Sequence, residues 1–259
     1  MAETVLMIHG MWGGPWYWEN YRNLFEQRGY RCVTPILRFH DMDPKSAPDP
    51  RLGTTSLLDY AEDLEREIQG SGVKPVLVGH SMGGLLTQIL ASRGLAKAVV
   101  LLTPASPAGI IALTPSVIKS FWRVQKKWGF WKKPMRQTFK EAVYSMLHLL
   151  PSEEQEKAYN RFVYESGRAA YEIGYWFIES RAASRVDEAK VVCPVLVVAG
   201  SEDRLTPASV VRKVADKYKS VSTYKEFINH AHWVVAEPGW QEIAEFVVDW
   251  LGRVVTERA

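Results

Sequence analysis

Gly79-His80-Ser81-Met82-Gly83 places a serine between two glycines at the junction of an apolar run and an amphipathic one. This is the G-x-S-x-G pattern of a strained strand-to-helix turn, and the chemistry it suits is nucleophilic attack by a hydroxyl. Bulky neighbours would clash in such a turn, so glycines must flank the serine. The following helix start favours developing negative charge nearby. A serine hydroxyl is a weak nucleophile without a base, and the base needs a carboxylate to orient it. The chain supplies both downstream. Gly200-Ser201-Glu202-Asp203 follows one apolar run, and Asn229-His230-Ala231-His232 follows the next. From the residues alone, Glu202 and His230 compete with Asp203 and His232 for the two roles. His40, Asp41 and Asp43 share one loop, but one histidine and two aspartates make an incomplete ligand set, and no metal site is expected. No phosphate-cradling loop or dinucleotide fingerprint is present, and no cofactor is expected.

The elements needed to position these groups alternate along the chain. Apolar runs at Val5 to Ile8, Tyr30 to Ile36, Pro75 to Val78, Ala98 to Leu102, Pro194 to Ala199 and Val221 to Phe227 read as about six strands. Helical spacing is expected over Pro15 to Arg28, Ser56 to Gln69, Met82 to Ser92, Pro207 to Lys217 and Trp240 to Val255. Strand and helix in succession predict an α/β fold, a mostly parallel sheet flanked by helices. Between Leu102 and Pro194 lie about 90 residues without a recognisable strand. That is far more than a connection needs, so three to five inserted helices are expected there.

With the chain order serine, acid, histidine, the sequence resembles the α/β-hydrolase superfamily. The resemblance covers essentially the whole length. It rests on His9-Gly10-Met11, the turn around Ser81, Gly200-x-x-Asp203-x-x-x-Pro207, and His232 followed by Glu237-Pro238. It implies a triad of Ser81, Asp203 and His232, preferring His232 to His230 and Asp203 to Glu202. It also implies an oxyanion hole made by the backbone N–H groups of Met11 and Met82. His9 and His80 belong to these motifs and are expected to be structural. Residues 1–104 and 191–259 would form the hydrolase core and 105–190 a helical cap or lid. The expected reaction is serine hydrolysis of a carboxylic ester with a hydrophobic part. A thioester or carbon–carbon bond substrate stays open, as does a ligand-binding receptor on the same fold. Serine in the turn argues against haloalkane dehalogenases and epoxide hydrolases, which place aspartate there. Gly14-Pro15-Trp16-Tyr17-Trp18 looks similar to the opening of plant methylesterases and hydroxynitrile lyases. Those lyases carry a lysine after the catalytic histidine, where this chain has Trp233.

The inserted segment is rich in aromatics, and Trp12, Trp122, Trp176 and Trp233 are the expected substrate-binding tryptophans. Eight basic residues and no acidic one lie between Lys119 and Lys140. This stretch reads first as a solvated face. Alternatively it could attract an anionic partner: an acyl carrier protein, a carboxylate-bearing substrate or an acidic lipid surface. At 259 residues with a net charge of +3, no nucleic-acid partner is expected. No run of about 20 apolar residues occurs that would suit a membrane span. The N-terminus lacks the pattern of a signal peptide. With Cys32 and Cys193 as the only cysteines, reduced thiols and a cytoplasmic location are expected.

Overall fold

The computed structural model describes residues 2–256. The chain opens with β1 (Thr4–Ile8), a 3₁₀ turn (Pro15–Trp18), α1 (Glu19–Gln27) and β2 (Arg31–Val33). Next come α2 (Leu57–Ser71), β3 (Val76–His80), α3 (Met82–Ser92) and β4 (Ala98–Leu102). An inserted region follows, containing α4 (Pro115–Gln125), β5 (Pro134–Met135), α5 (Phe139–Ala142), α6 (Ser152–Asn160), β6 (Glu165–Ser166) and α7 (Gly167–Gly174). The chain returns to the sheet with β7 (Val195–Gly200), α8 (Ala208–Lys217), β8 (Ser222–Phe227) and α9 (Trp240–Thr256).

Six strands form one parallel sheet in the order β2-β1-β3-β4-β7-β8. The strands β3, β4 and β7 are buried throughout, as a parallel sheet covered on both faces requires. Because β2 and β3 both flank β1, the chain reverses its direction of travel across the sheet there. The carboxyl ends of the strands near such a switch point form a natural crevice. The turns after β1, β3, β7 and β8 all leave from that edge.

Two expectations change. The strand expected over Tyr30 to Ile36 stops at Val33, because it lies at the sheet edge and Pro35 has no N–H to continue a ladder. The insertion also contains a short antiparallel ribbon, with Pro134 opposite Ser166 and Met135 opposite Glu165. Two residues per strand are too few to show an alternation in sequence. No disulfide links Cys32 to Cys193. Among the described residues, no helix is long and apolar enough to cross a membrane.

The inserted helices cap the sheet, and two buried cap carboxylates hold them there. Glu165 accepts from the Tyr60 hydroxyl at 2.8 Å and lies 3.0 Å from His40 Nε2. Burial alone would depress the His40 pKa, but attraction to Glu165 and the hydrogen bonds around the ring hold it above its ordinary value. Glu172 accepts from the Ser56 hydroxyl and from the Leu57 N–H at the start of α2, and pairs with Arg168. The helix start thereby gains an acceptor for one of its unpaired amides.

Candidate active site

Ser81 sits between β3 and α3 with φ 55° and ψ −120°, a conformation that side chains other than glycine rarely adopt. The surroundings impose it. The Ser81 N–H donates to Leu102 O at 3.0 Å, and its carbonyl accepts from Ala105 N–H at 2.9 Å. The flanking glycines are a matter of space. A Cβ on Gly79 would strike the Thr87 hydroxyl and the Gly83 carbonyl, and one on Gly83 would strike the carbonyls of Ile8 and His9. A Cβ on Gly10 would lie 2.9 Å from that of Ser81, so the turn after β1 reaches the serine only because residue 10 is glycine.

His232, in the turn after β8, is buried, and its Nδ1 lies 2.8 Å from Asp203 Oδ2. Asp203 is fixed in turn. Its Oδ1 accepts the N–H groups of Leu205 and Thr206 at 2.7 and 2.8 Å, and its Oδ2 also lies 2.8 Å from the Thr206 hydroxyl. With Nδ1–H donating to the carboxylate, Nε2 of His232 carries the lone pair. That atom is buried and makes no hydrogen bond with any described residue. The loop carrying the ring is tied to the turn that holds Ser81 through His80, whose Nε2 donates to His232 O at 2.8 Å. Burial and the neighbouring His232 ring push His80 well below its ordinary pKa, so it acts as a neutral donor. His9 is also held neutral, with burial lowering its pKa to about 3. Its Nδ1–H donates to Gly10 O at 2.9 Å, and its Nε2 accepts from Leu37 N–H at 3.3 Å.

The competing candidates lie elsewhere. Glu202 is exposed. His230 turns to Glu237, with Nδ1 2.9 Å from Oε1. Burial raises the Glu237 pKa to about 8 and lowers that of His230. Near neutral pH this contact is therefore a hydrogen bond between neutral groups. It also presents Glu237 to the Ala231 N–H at 2.8 Å, beside His232. A pH dependence follows. An unfolded Glu237 ionises at its ordinary value near 4.5, whereas the folded one holds its proton to about 8. Its contribution to stability is complete below the first value and is lost as pH rises through the second. Between them, the stability of the native protein relative to Glu237→Gln should fall by about 1.4 kcal/mol per pH unit. Urea unfolding of both proteins across this range checks the slope.

A cavity of about 100 Å³ opens onto Ser81. Met11, Trp12, Met82, Leu205 and Thr206 line it from the core side; Phe121 of α4 and Trp176, just beyond α7, line it from the cap. Among the described residues, no charged side chain lines it. Two of the four expected tryptophans are not there either. On α4 the inward positions are Val117, Phe121 and Val124, which turns Trp122 outward, 58% exposed. Trp233 is packed against Tyr17 (ring centroids 4.6 Å apart), Trp16 and Phe162. His40, with its ring nitrogens engaged by Glu165 and the Arg38 carbonyl, is drawn away from the exposed Asp41 and Asp43 side chains.

Thr206 and Ser106 escaped the sequence reading. Thr206 lies three residues past Asp203, and its hydroxyl also approaches Thr103 O at 3.0 Å. Ser106 is buried and lines the cavity, but no local pattern marks it. Thr206→Val should leave Asp203 short of one donor and lower turnover by roughly 10- to 100-fold, the worth of a hydrogen bond to a charged group. Steady-state kinetics on any turned-over ester would show it as a loss in kcat.

No curated protein matches the sequence. Among solved structures, the chain is similar to a monoacylglycerol lipase from Paleococcus ferrophilus, with 23% identity, a TM-score of 0.70, and 96% of this chain and 93% of that one covered. It is also similar to a methylesterase from Arabidopsis, with 11% identity, a TM-score of 0.71, and 97% and 99% covered. Tomato methylketone synthase I gives 16% identity and a TM-score of 0.71, with 98% of each chain covered. These likenesses concern the fold. Residues 5–246 match the family model described as the alpha/beta hydrolase family, and the chain belongs to that family.

Proposed function

We propose that this chain is a serine hydrolase that cleaves a carboxylic ester bearing an uncharged, apolar acyl group. The observation that carries the reading is the 2.8 Å contact of His232 with Asp203, which leaves a buried, unengaged Nε2 beside the turn that holds Ser81. Ser81 Oγ attacks the ester carbonyl while His232 Nε2 takes its proton. Asp203 holds the ring and stabilises the imidazolium. The oxyanion is bound by the backbone N–H groups of Met82 and Met11. Met82 opens α3, so its N–H has no intrahelical acceptor, and Gly10 allows the Met11 turn to approach. The proton then passes from His232 to the departing alcohol. Water, activated by the same base, releases the acid and restores Ser81.

The apolar cavity supports the acyl preference. One water needs roughly 10–15 Å³ of such space, so about 100 Å³ suits on the order of seven to ten non-hydrogen atoms. Similarity to a lipase and a methylesterase supports an ester over other bonds. Trp233, where the lyases carry lysine, supports hydrolysis over cyanohydrin cleavage. Turnover of p-nitrophenyl esters from acetate to palmitate, with matched thioesters and Ser81→Ala as control, tests the reading. Activity should depend on Ser81, peak between hexanoate and decanoate, and favour the oxygen ester. Preference for the thioesters would assign a thioesterase. Absence of turnover, with a large ligand-induced rise in Tm, would favour a receptor.

A further inference from the structure

Seven of the eleven large apolar side chains exposed among the described residues lie between Ile111 and Ile178, in the cap. Trp128 is 87% exposed and Trp122 58%. On α4, Val117, Ser120 and Val124 are buried, so Ile118 and Trp122, four residues apart, share the outer face with Lys119 and Arg123. The exposed Lys126 and Lys127 continue this face, and the exposed Lys132 and Lys133 follow shortly after. Two of the cations are occupied: Lys119 lies over the Tyr144 ring at 3.9 Å, and Arg123 is 3.9 Å from Glu141. A shallow groove on this face is lined by Pro115, Ile118, Lys119, Trp122, Arg123 and Glu141. Ile111, Leu113 and Phe177 belong both to the exposed surface and to the cavity lining, so the cavity opens where they stand.

We propose that the outer face of the cap docks on a lipid surface carrying anionic headgroups, with Trp122, Trp128 and Ile118 entering the interface and the lysines facing the phosphates. Tryptophan and isoleucine interleaved with lysine and arginine suit the boundary between headgroups and acyl chains. An acidic segment without apolar side chains would account for the cations but would leave the exposed tryptophans and Ile118 in water. A lipid surface satisfies both, and such a layer would supply an apolar ester to the cavity that Val117, Phe121 and Val124 of α4 line from its inner side. The docking face stands without the catalytic reading; only the use made of it rests on that reading.

The test is flotation of the Ser81→Ala protein with vesicles of ether-linked phosphatidylcholine, with and without phosphatidylserine. Neither catalysis nor lipid breakdown then affects the result. Binding is expected to the phosphatidylserine vesicles and to weaken with salt. Replacing Lys126 and Lys127 together by glutamine should weaken it about thirtyfold, from about 1 kcal/mol per cation near an anionic surface. Trp128→Ala should weaken it further. In the Ser81 background, both sets of replacements should leave turnover of a water-soluble ester unchanged. Failure to float with anionic vesicles would overturn the proposal. So would capture by polyglutamate that is as tight as vesicle binding and indifferent to Trp128→Ala, which would assign the face to an acidic protein.

Discussion

Replacing His232 with alanine should lower kcat by about 10⁴- to 10⁶-fold without disturbing the fold, as removal of the base does in other triads. The architecture separates the two effects. His232 is held through its backbone, whose carbonyl accepts from His80 Nε2 at 2.8 Å and from the Thr103 hydroxyl at 3.3 Å. Neither bond involves the His232 imidazole. Asp203, deprived of the ring, keeps the amides of Leu205 and Thr206 and the Thr206 hydroxyl. No buried carboxylate is left stranded, so the melting transition should move little. In the proposed mechanism, what is lost is the acceptor for the Ser81 proton and the donor for the leaving alcohol. Kinetics paired with thermal unfolding check both halves. Near-native turnover by His232→Ala would remove this residue from the mechanism.

The second large effect is on stability. Gly83→Ala should destabilise the protein by about 3–5 kcal/mol, through overpacking against backbone that cannot yield. The new methyl would be 2.5 Å from the carbonyl oxygen of His9 and closer still to that of Ile8. Ile8 ends β1, which is hydrogen-bonded on both sides, to β2 and β3. Relief would require α3 to lift from the sheet, although this helix is buried from Met82 to Ala91. Gly70 provides the contrast. It lies near the end of α2, is exposed, and a methyl added there would meet nothing within 4 Å. Gly70→Ala should therefore stabilise by roughly 0.5–1 kcal/mol, the difference in helix propensity. Urea unfolding of the two variants should move in opposite directions.

These contrasts show what a sequence exposes and what it hides. The boundaries of α3 and β4 were legible to the residue, because an unbroken apolar run and a glycine-bounded serine admit few alternatives. Position after a strand end brings Glu202 and His230 forward as readily as Asp203 and His232, so the contact of Asp203 with His232 was expected only through the resemblance to the hydrolase motifs. Trp122 and Trp233 were not legible in the same way. Aromatic content says that a residue will seek cover, but whether it lines a cavity depends on helix phase and on its neighbours. Phe121 and Trp122 are adjacent in sequence, yet only Phe121 meets the cavity. Thr206 has its meaning from the three-dimensional course of the loop after Asp203. No local pattern singles out Glu165 and Glu172, and only folding shows them buried against Tyr60, His40 and Ser56.

The central claim is that Ser81 forms a covalent acyl intermediate activated by His232. Its most direct test is intact-mass and peptide analysis after brief exposure to a fluorophosphonate. A single adduct on the peptide containing Ser81 is expected, absent in Ser81→Ala and formed far more slowly in His232→Ala. An adduct on another residue, or labelling of Ser81→Ala at the native rate, would contradict the account.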